Sequence, residues 1–203
     1  MKRRRLIDLE KIRKELDVSL TFCDFSKASK LVEKGLKAAM EMKNKFYQFF
    51  FKSQREILNE NYQRAVFYLN KALKVNPYDE ECYNDKSLCL VDLGKTDEAL
   101  QCIDEGLKIC RESKLLYHNR GWIFLQMGQY MKARGNFLKA LEFDEKNSVC
   151  WANLAECFKQ EAEFYTALKY YRKALTLIPY RYRDLRQEIS EEIERLSNIT
   201  RRK

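Results

Sequence analysis

The sequence predicts an all-α chain built from repeated helix pairs, and three observations carry that prediction. The first is a clock: Ala65, Ala99, Ala133 and Ala167 stand 34 residues apart without slippage. Tyr83, Tyr117 and Trp151 keep the same period, as do Ala72, Gly106, Ala140 and Ala174, and Gly94 with Gly128. The second is the scarcity of turn formers. Six Gly and two Pro in 203 residues are too few for the tight turns of a sheet protein, and Pro77 and Pro179 themselves lie three periods apart. The third is a composition of 45% hydrophobic and 34% charged residues, which suits a soluble folded chain and neither a disordered one nor a membrane span.

Taken in order, residues 1–8 are expected to form a basic tail, led by Lys2, Arg3, Arg4 and Arg5. Residues 9–42 form a degenerate first unit, marked by Asp24 to Ala28 and then Val32, Gly35 and Leu36, which joins the others only after a three-residue slip. Four full units follow at 46–79, 80–113, 114–147 and 148–181. Each is expected to be two antiparallel helices. In the third, Tyr117, Gly121 and Phe124 lie along the first helix at helical spacing, and Ala133, Phe137, Ala140 and Leu141 along the second. The small residues permit close approach and the aromatics fill the gap beside them, so that stacking yields a continuous core. After Pro179, Tyr182, Leu185, Ile189, Ile193 and Leu196 make one apolar stripe on a charged helix over 182–199. That helix either seals the last unit or docks into a groove, its own or a neighbour's.

This pattern of an aromatic, a small residue four further on, an Ala sixteen on from the aromatic and a small residue seven later resembles the tetratricopeptide repeat. The resemblance implies a right-handed α-solenoid of about five helix-turn-helix units with a C-terminal capping helix, acting as a protein-interaction scaffold or adaptor.

Nothing in the sequence assembles a catalytic centre. His118 is the one histidine, no phosphate-cradling glycine loop is present, and the acidic residues fall on helix faces, so no enzyme activity, metal or cofactor is expected. Seven cysteines without CxxC spacing suit reduced thiols and a cytoplasmic setting. No stretch is apolar enough for membrane insertion. The formal net charge of +9 invites a nucleic-acid reading, but the 80–113 unit alone carries −5. Phosphate tracking through such a stack is disfavoured. The terminal basic runs, including Arg201, Arg202 and Lys203, are expected to be solvated.

The resemblance places a second face of each first helix on the concave side of the superhelix, where a partner would lie. The candidate residues are Tyr47, Phe50, Ile57, Asn84, Leu88, Val91, Leu115, His118, Asn119, Trp122, Leu125 and Asn153. Most are apolar, which suggests a groove for another protein's peptide or amphipathic helix, with Trp122 and Phe50 as anchors and Asn119 and Asn153 as donors to a peptide backbone. The other role for these side chains is to fill the contact between successive first helices, and for the asparagines a local structural bond. Some members of the family grip an acidic C-terminal peptide with a clamp of Lys and Asn on one first helix, Asn on the next, then Lys and Arg. Those slots here hold Phe50 and Gln54, then Asp85, then Leu115 and Asn119, so every cationic position is empty. One unit further on, Asn84 and Leu88, Asn119, and Val149 and Asn153 match at Asn119 only. Self-assembly into a homo-oligomer through the last helix, and RNA binding, are the rival functions.

Overall fold

The computed structural model of the chain describes residues 2–201, the side chains of residues 2–5 and 7 excepted. Eleven helices and no strand occur among the described residues. The chain divides into two compact units, one ending at Cys110 and the other starting at Arg111. The first unit contains α1 (Lys2–Thr21), α2 (Phe25–Glu41), α3 (Lys45–Leu58), α4 (Tyr62–Val75), α5 (Glu80–Asp92) and α6 (Thr96–Ile109). The second contains α7 (Lys114–Gln126), α8 (Tyr130–Phe143), α9 (Ser148–Gln160), α10 (Phe164–Leu177) and α11 (Arg183–Arg201). In each unit every helix packs on the next in chain order. Odd-numbered helices are the first members of their pairs. Position 2 is already helical, so α1 takes in residues that composition reads as a tail. The side chains of Lys2, Arg3, Arg4 and Arg5, and residues Arg202 and Lys203, lie outside the described ones.

Helix starts follow a division of labour. Four of the first helices, α3, α5, α7 and α9, are capped by side chains: Asn44, Asp79, Ser113 and Asn147 each accept from the backbone N–H three residues on. The second helices α4, α6, α8 and α10 follow a tight backbone reversal and have no side-chain cap, whereas α2, after the like reversal at Cys23, is capped by Asp24 accepting from the Lys27 N–H. At each of those reversals one residue is left-handed: Glu60 at φ 58°, Gly94 at 73°, Gly128 at 69° and Ala162 at 59°. These positions are 34 residues apart. The clock therefore times a backbone conformation, and only half the positions use the residue that adopts it freely. In the degenerate first unit the same role falls to Cys23 at φ 54°, 37 residues before Glu60. The three-residue slip has a physical location, since α2 has 17 residues where α4 has 14.

The core is set by two aromatic rings driven against glycine. Phe51 and Phe137 are fully buried. A Cβ on Gly35 would strike the Phe51 ring, and one on Gly121 would come within 2.8 Å of Phe137 and 3.2 Å of the Ala133 carbonyl. At the other end, α11 turns its stripe inward: Ile189 and Leu196 are buried in one cluster with Ala155, Ala167, Leu168, Tyr171 and Ile178. Pro179 prevents continuation of α10. Arg186 Nη1 then donates to the carbonyls of Leu175 at 2.9 Å and Ile178 at 2.6 Å, satisfying acceptors at that helix end.

Three substitutions to or from glycine test this account by urea unfolding. Ala162→Gly and Glu60→Gly should each stabilise the protein by about 0.5–1 kcal/mol, the relief of a left-handed Cβ less the gain in unfolded-chain freedom. Gly121→Ala should destabilise by about 1–3 kcal/mol through overpacking against Phe137.

Candidate partner-binding faces

The first helices of each unit form a row, and the two rows are built differently. In the first unit the row is closed by Arg13 of α1. Its guanidinium makes a bidentate pair with Asp79, Nη1 to Oδ2 and Nη2 to Oδ1 both at 2.7 Å, and Nε donates to Glu81 Oε2 at 2.6 Å. The flat face of the same group lies 4.3 Å from the Phe50 ring centroid and 5.8 Å from that of Phe46. Phe50 is left 3% exposed and Tyr47 7%. Both expected groove residues are therefore covered: the side chains fill the contact between successive first helices and offer no open anchor. The reason is an arginine 37 positions upstream on the helix of the degenerate unit, which sequence periodicity could not pair with an aspartate 66 residues away.

Charge follows this geometry. Burial alone would lower the Arg13 guanidinium, but its bonds to Asp79 and the charges of Asp79 and Glu81 raise it above its ordinary value. Burial would likewise raise Asp79, yet Arg13 holds its carboxyl below the usual 3.8. Asp79 also caps α5 by accepting from the Cys82 N–H at 3.0 Å, so one carboxylate joins α1 to the start of α5. The remaining expected residues of this row, Ile57, Asn84, Leu88 and Val91, are all partly exposed.

Between α3 and α5 the row carries a carboxylate, Asp85, held by Gln54 and by the expected residue Asn84. Gln54 Nε2 donates to Asp85 Oδ2 at 2.6 Å, and Asn84 Nδ2 donates to Oδ1 at 3.2 Å. Burial pushes the Asp85 carboxyl up to about 6 against the pull of those two bonds. Gln54 and Asp85 occupy clamp positions on successive first helices. Their mutual bond is what the structure adds.

In the second unit the row of α7, α9 and α11 is more open. Leu115, Trp122 and Leu125 on α7 are partly exposed, and Val149 at the start of α9 is 46% exposed. His118 joins the two helices. Its Nε2 lies 3.0 Å from Asn153 Nδ2, an amide that can only donate, and its Nδ1 lies 3.2 Å from Asn119 Oδ1. The ring is thus neutral with its proton on Nδ1, and burial lowers its basicity further. Asn119 and Asn153 take up the local structural bond, with an Asn153 N–H directed at His118. Beyond Asn153 a cavity of about 200 Å³ runs between α9 and α11, where Lys159 pairs with Glu156 at 2.7 Å and with Glu192 at 3.4 Å. No described group of three or more His, Cys, Asp or Glu could hold a metal ion, and no described helix is long and apolar enough to cross a membrane.

Stacked helix pairs with a 34-residue turn clock and side-chain rows on the first helices define a helical-repeat scaffold. A family model of the tetratricopeptide repeat matches residues 80–113, 116–147 and 149–181. The chain belongs to the tetratricopeptide-repeat family. Among solved structures it is similar to TTC0263, a thermophilic tetratricopeptide-repeat protein of Thermus thermophilus, with a TM-score of 0.76 and 18% identity over 91% of this chain and 98% of that one. It also resembles MamA protein, with a TM-score of 0.58 and 17% identity over 83% and 91% of the two chains. Among curated sequences, Hsp70-Hsp90 organizing protein 3 of Arabidopsis thaliana is 28% identical over 157 residues, 77% of this chain and 25% of that protein. The chain thus spans about a quarter of the length of that relative.

Two measurements check the electrostatics. Arg13→Met should destabilise the protein by about 3 kcal/mol at pH 7, since it strands the Asp79 carboxylate. The deficit should shrink as pH falls below 3.8 and through the depressed Asp79 value, because a lowered carboxyl contributes stability only while ionised. Carboxyl-detected NMR should give Asp85 a midpoint near 6. As a raised acid, Asp85 favours the fold at low pH and loses that contribution as pH rises from 3.8 through 6.

Proposed function

We propose that the chain is a protein-interaction scaffold that takes an extended or helical segment of another protein along its first-helix rows, without catalysis of its own. The observation that carries this reading is the contrast between Trp122 and Phe50. Both lie on the same stripe of a first helix, one turn apart in the repeat register, but Phe50 is covered by Arg13 whereas Trp122 stays partly exposed beside Leu115 and Leu125. A partly exposed aromatic among apolar neighbours suits an anchor for a partner side chain. The helix α11 acts in this proposal as a cap, since Ile189 and Leu196 are committed to the chain's own last pair. That favours a scaffold over self-assembly through the same stripe. RNA binding has less support, given the acidic 80–113 unit.

The name of the plant relative assigns to that protein an organising role between Hsp70 and Hsp90. For this chain, the cationic clamp slots hold Phe50, Leu115 and Asn119, and Asp85 replaces a clamp asparagine, which argues against an acidic chaperone tail as the ligand. A different peptide chemistry is proposed.

Selection of random peptides of about 12 residues displayed on phage against the full chain tests the proposal. Binders should lose at least tenfold in affinity for Trp122→Glu, whose melting temperature should stay within a few degrees of the parent. Phe50→Ala should instead lose about 3 kcal/mol of stability as a buried aromatic. If Trp122→Glu binds every selected peptide as well as the parent does, or unfolds as readily as Phe50→Ala, the groove reading fails.

A further inference from the structure

On the first-helix row of the first unit, Asp85 is held by neutral amides and has no ion pair among the described residues. Three carboxylates, Asp79, Glu81 and Asp85, meet one guanidinium there, and Arg13 commits its donors to the first two. Asp85 receives amide N–H groups from Gln54 and Asn84, and the charge of Arg13 reaches it only as the weakest of the influences on its carboxyl. Two neutral donors orient a carboxylate but do not neutralise it. A carboxylate offers about four acceptor positions, so about two remain for an incoming group. Burying an unbalanced charge is costly, and an incoming cation with N–H donors both satisfies the acceptors and balances the charge.

We propose that Asp85, held in place by Gln54, is the acceptor for a lysine or arginine side chain of a partner segment lying along the first-helix row of residues 2–110. This rests on the groove reading above and gives it a chemistry. The surroundings match such an occupant. Leu88 and Val91 continue from Asp85 as partly exposed apolar residues on the same helix, suited to apolar neighbours of the basic residue. Towards α1 lies a cleft of about 440 Å³ of mixed charge, where Arg13 is committed to Asp79 and Glu81 and Lys14 stands with Glu10 and Asp17. A carboxylate held by neutral amides beside partly exposed apolar side chains favours a basic, partly apolar segment and opposes an acidic one. The polarity is therefore the reverse of a site for a peptide carboxylate. Gln54 is a positioning residue, since its amide fixes the Asp85 carboxylate and does not itself need to touch the ligand.

The test uses the full chain and five fluorescent peptides of about 11 residues, built of leucine and alanine, that differ only at the centre: lysine, arginine, citrulline, norleucine or glutamate. By anisotropy at about pH 7.5, the lysine and arginine peptides should bind at least tenfold more tightly than the citrulline and norleucine ones, and the glutamate peptide most weakly. Asp85→Asn should abolish the preference while leaving the norleucine affinity within about twofold. A readout that needs no variant is the Asp85 carboxyl titration, whose midpoint near 6 should fall by a unit or more with the lysine peptide and stay put with the norleucine peptide. Equal binding of all five peptides overturns the proposal and leaves the groove reading standing. A lysine preference that survives Asp85→Asn overturns it in favour of Glu81 or the cleft acids. Failure of all five peptides overturns it as well, and if phage-selected peptides fail too, the groove reading falls with it.

Discussion

How deeply one helix can seat in its neighbour is decided where an aromatic ring meets a glycine. Phe137 can be fully buried only because Gly121 presents no Cβ, and the same holds for Phe51 over Gly35. Helix separation, the alignment of side chains along each row and the faces available to a partner all follow from that close approach. Ridges of ordinary side chains would hold the helices further apart, and the rows would lose their register. The small residues at 34-residue spacing are thus spacers first, and their effect on any binding surface passes through the distance they allow.

Within that frame the two units treat equivalent positions differently. Phe50 matches His118 in the repeat register and lies one helical turn from the slot of Trp122, yet a guanidinium stacks on Phe50. The difference comes from outside the repeat pattern, from a single residue of α1 whose partners lie on the N-terminal end of α5. A repeat architecture supplies equal slots, and unequal neighbours make them into core at one end and surface at the other. His118 shows the same principle at smaller scale: its ring joins α7 to α9 and commits amide groups that the repeat register alone would assign to a peptide.

The scaffold was legible in the sequence because its determinants are local. Ala, Gly and aromatic residues recur at fixed spacing, and the apolar stripe of α11 is contained in one helix. Even the slip in the first unit corresponds to a measurable difference, the longer α2. The left-handed turns at Glu60 and Ala162 were not legible, since nothing in either residue type announces that conformation. The site was less legible still. Phe50 reads as an anchor from its own helix and is covered from another, and Asp85 reads as a failed clamp slot until its bond to Gln54 is seen. Such contacts join residues 31 to 68 positions apart through polar side chains, which follow no periodicity.

The Arg13–Asp79 pair also bears on how the stack comes apart. In a linear array each repeat touches only its neighbours, so the end can fray without disturbing what lies two steps away. A strong contact from the first helix pair to the third skips a neighbour and closes a loop of 66 residues. The three pairs of the first unit then form one cooperative block from which α1 cannot be released alone, and amide hydrogens of α1 around Arg13 should exchange by the same opening as those in α5. A sequence built by repetition acquires there the all-or-none character of a globular domain.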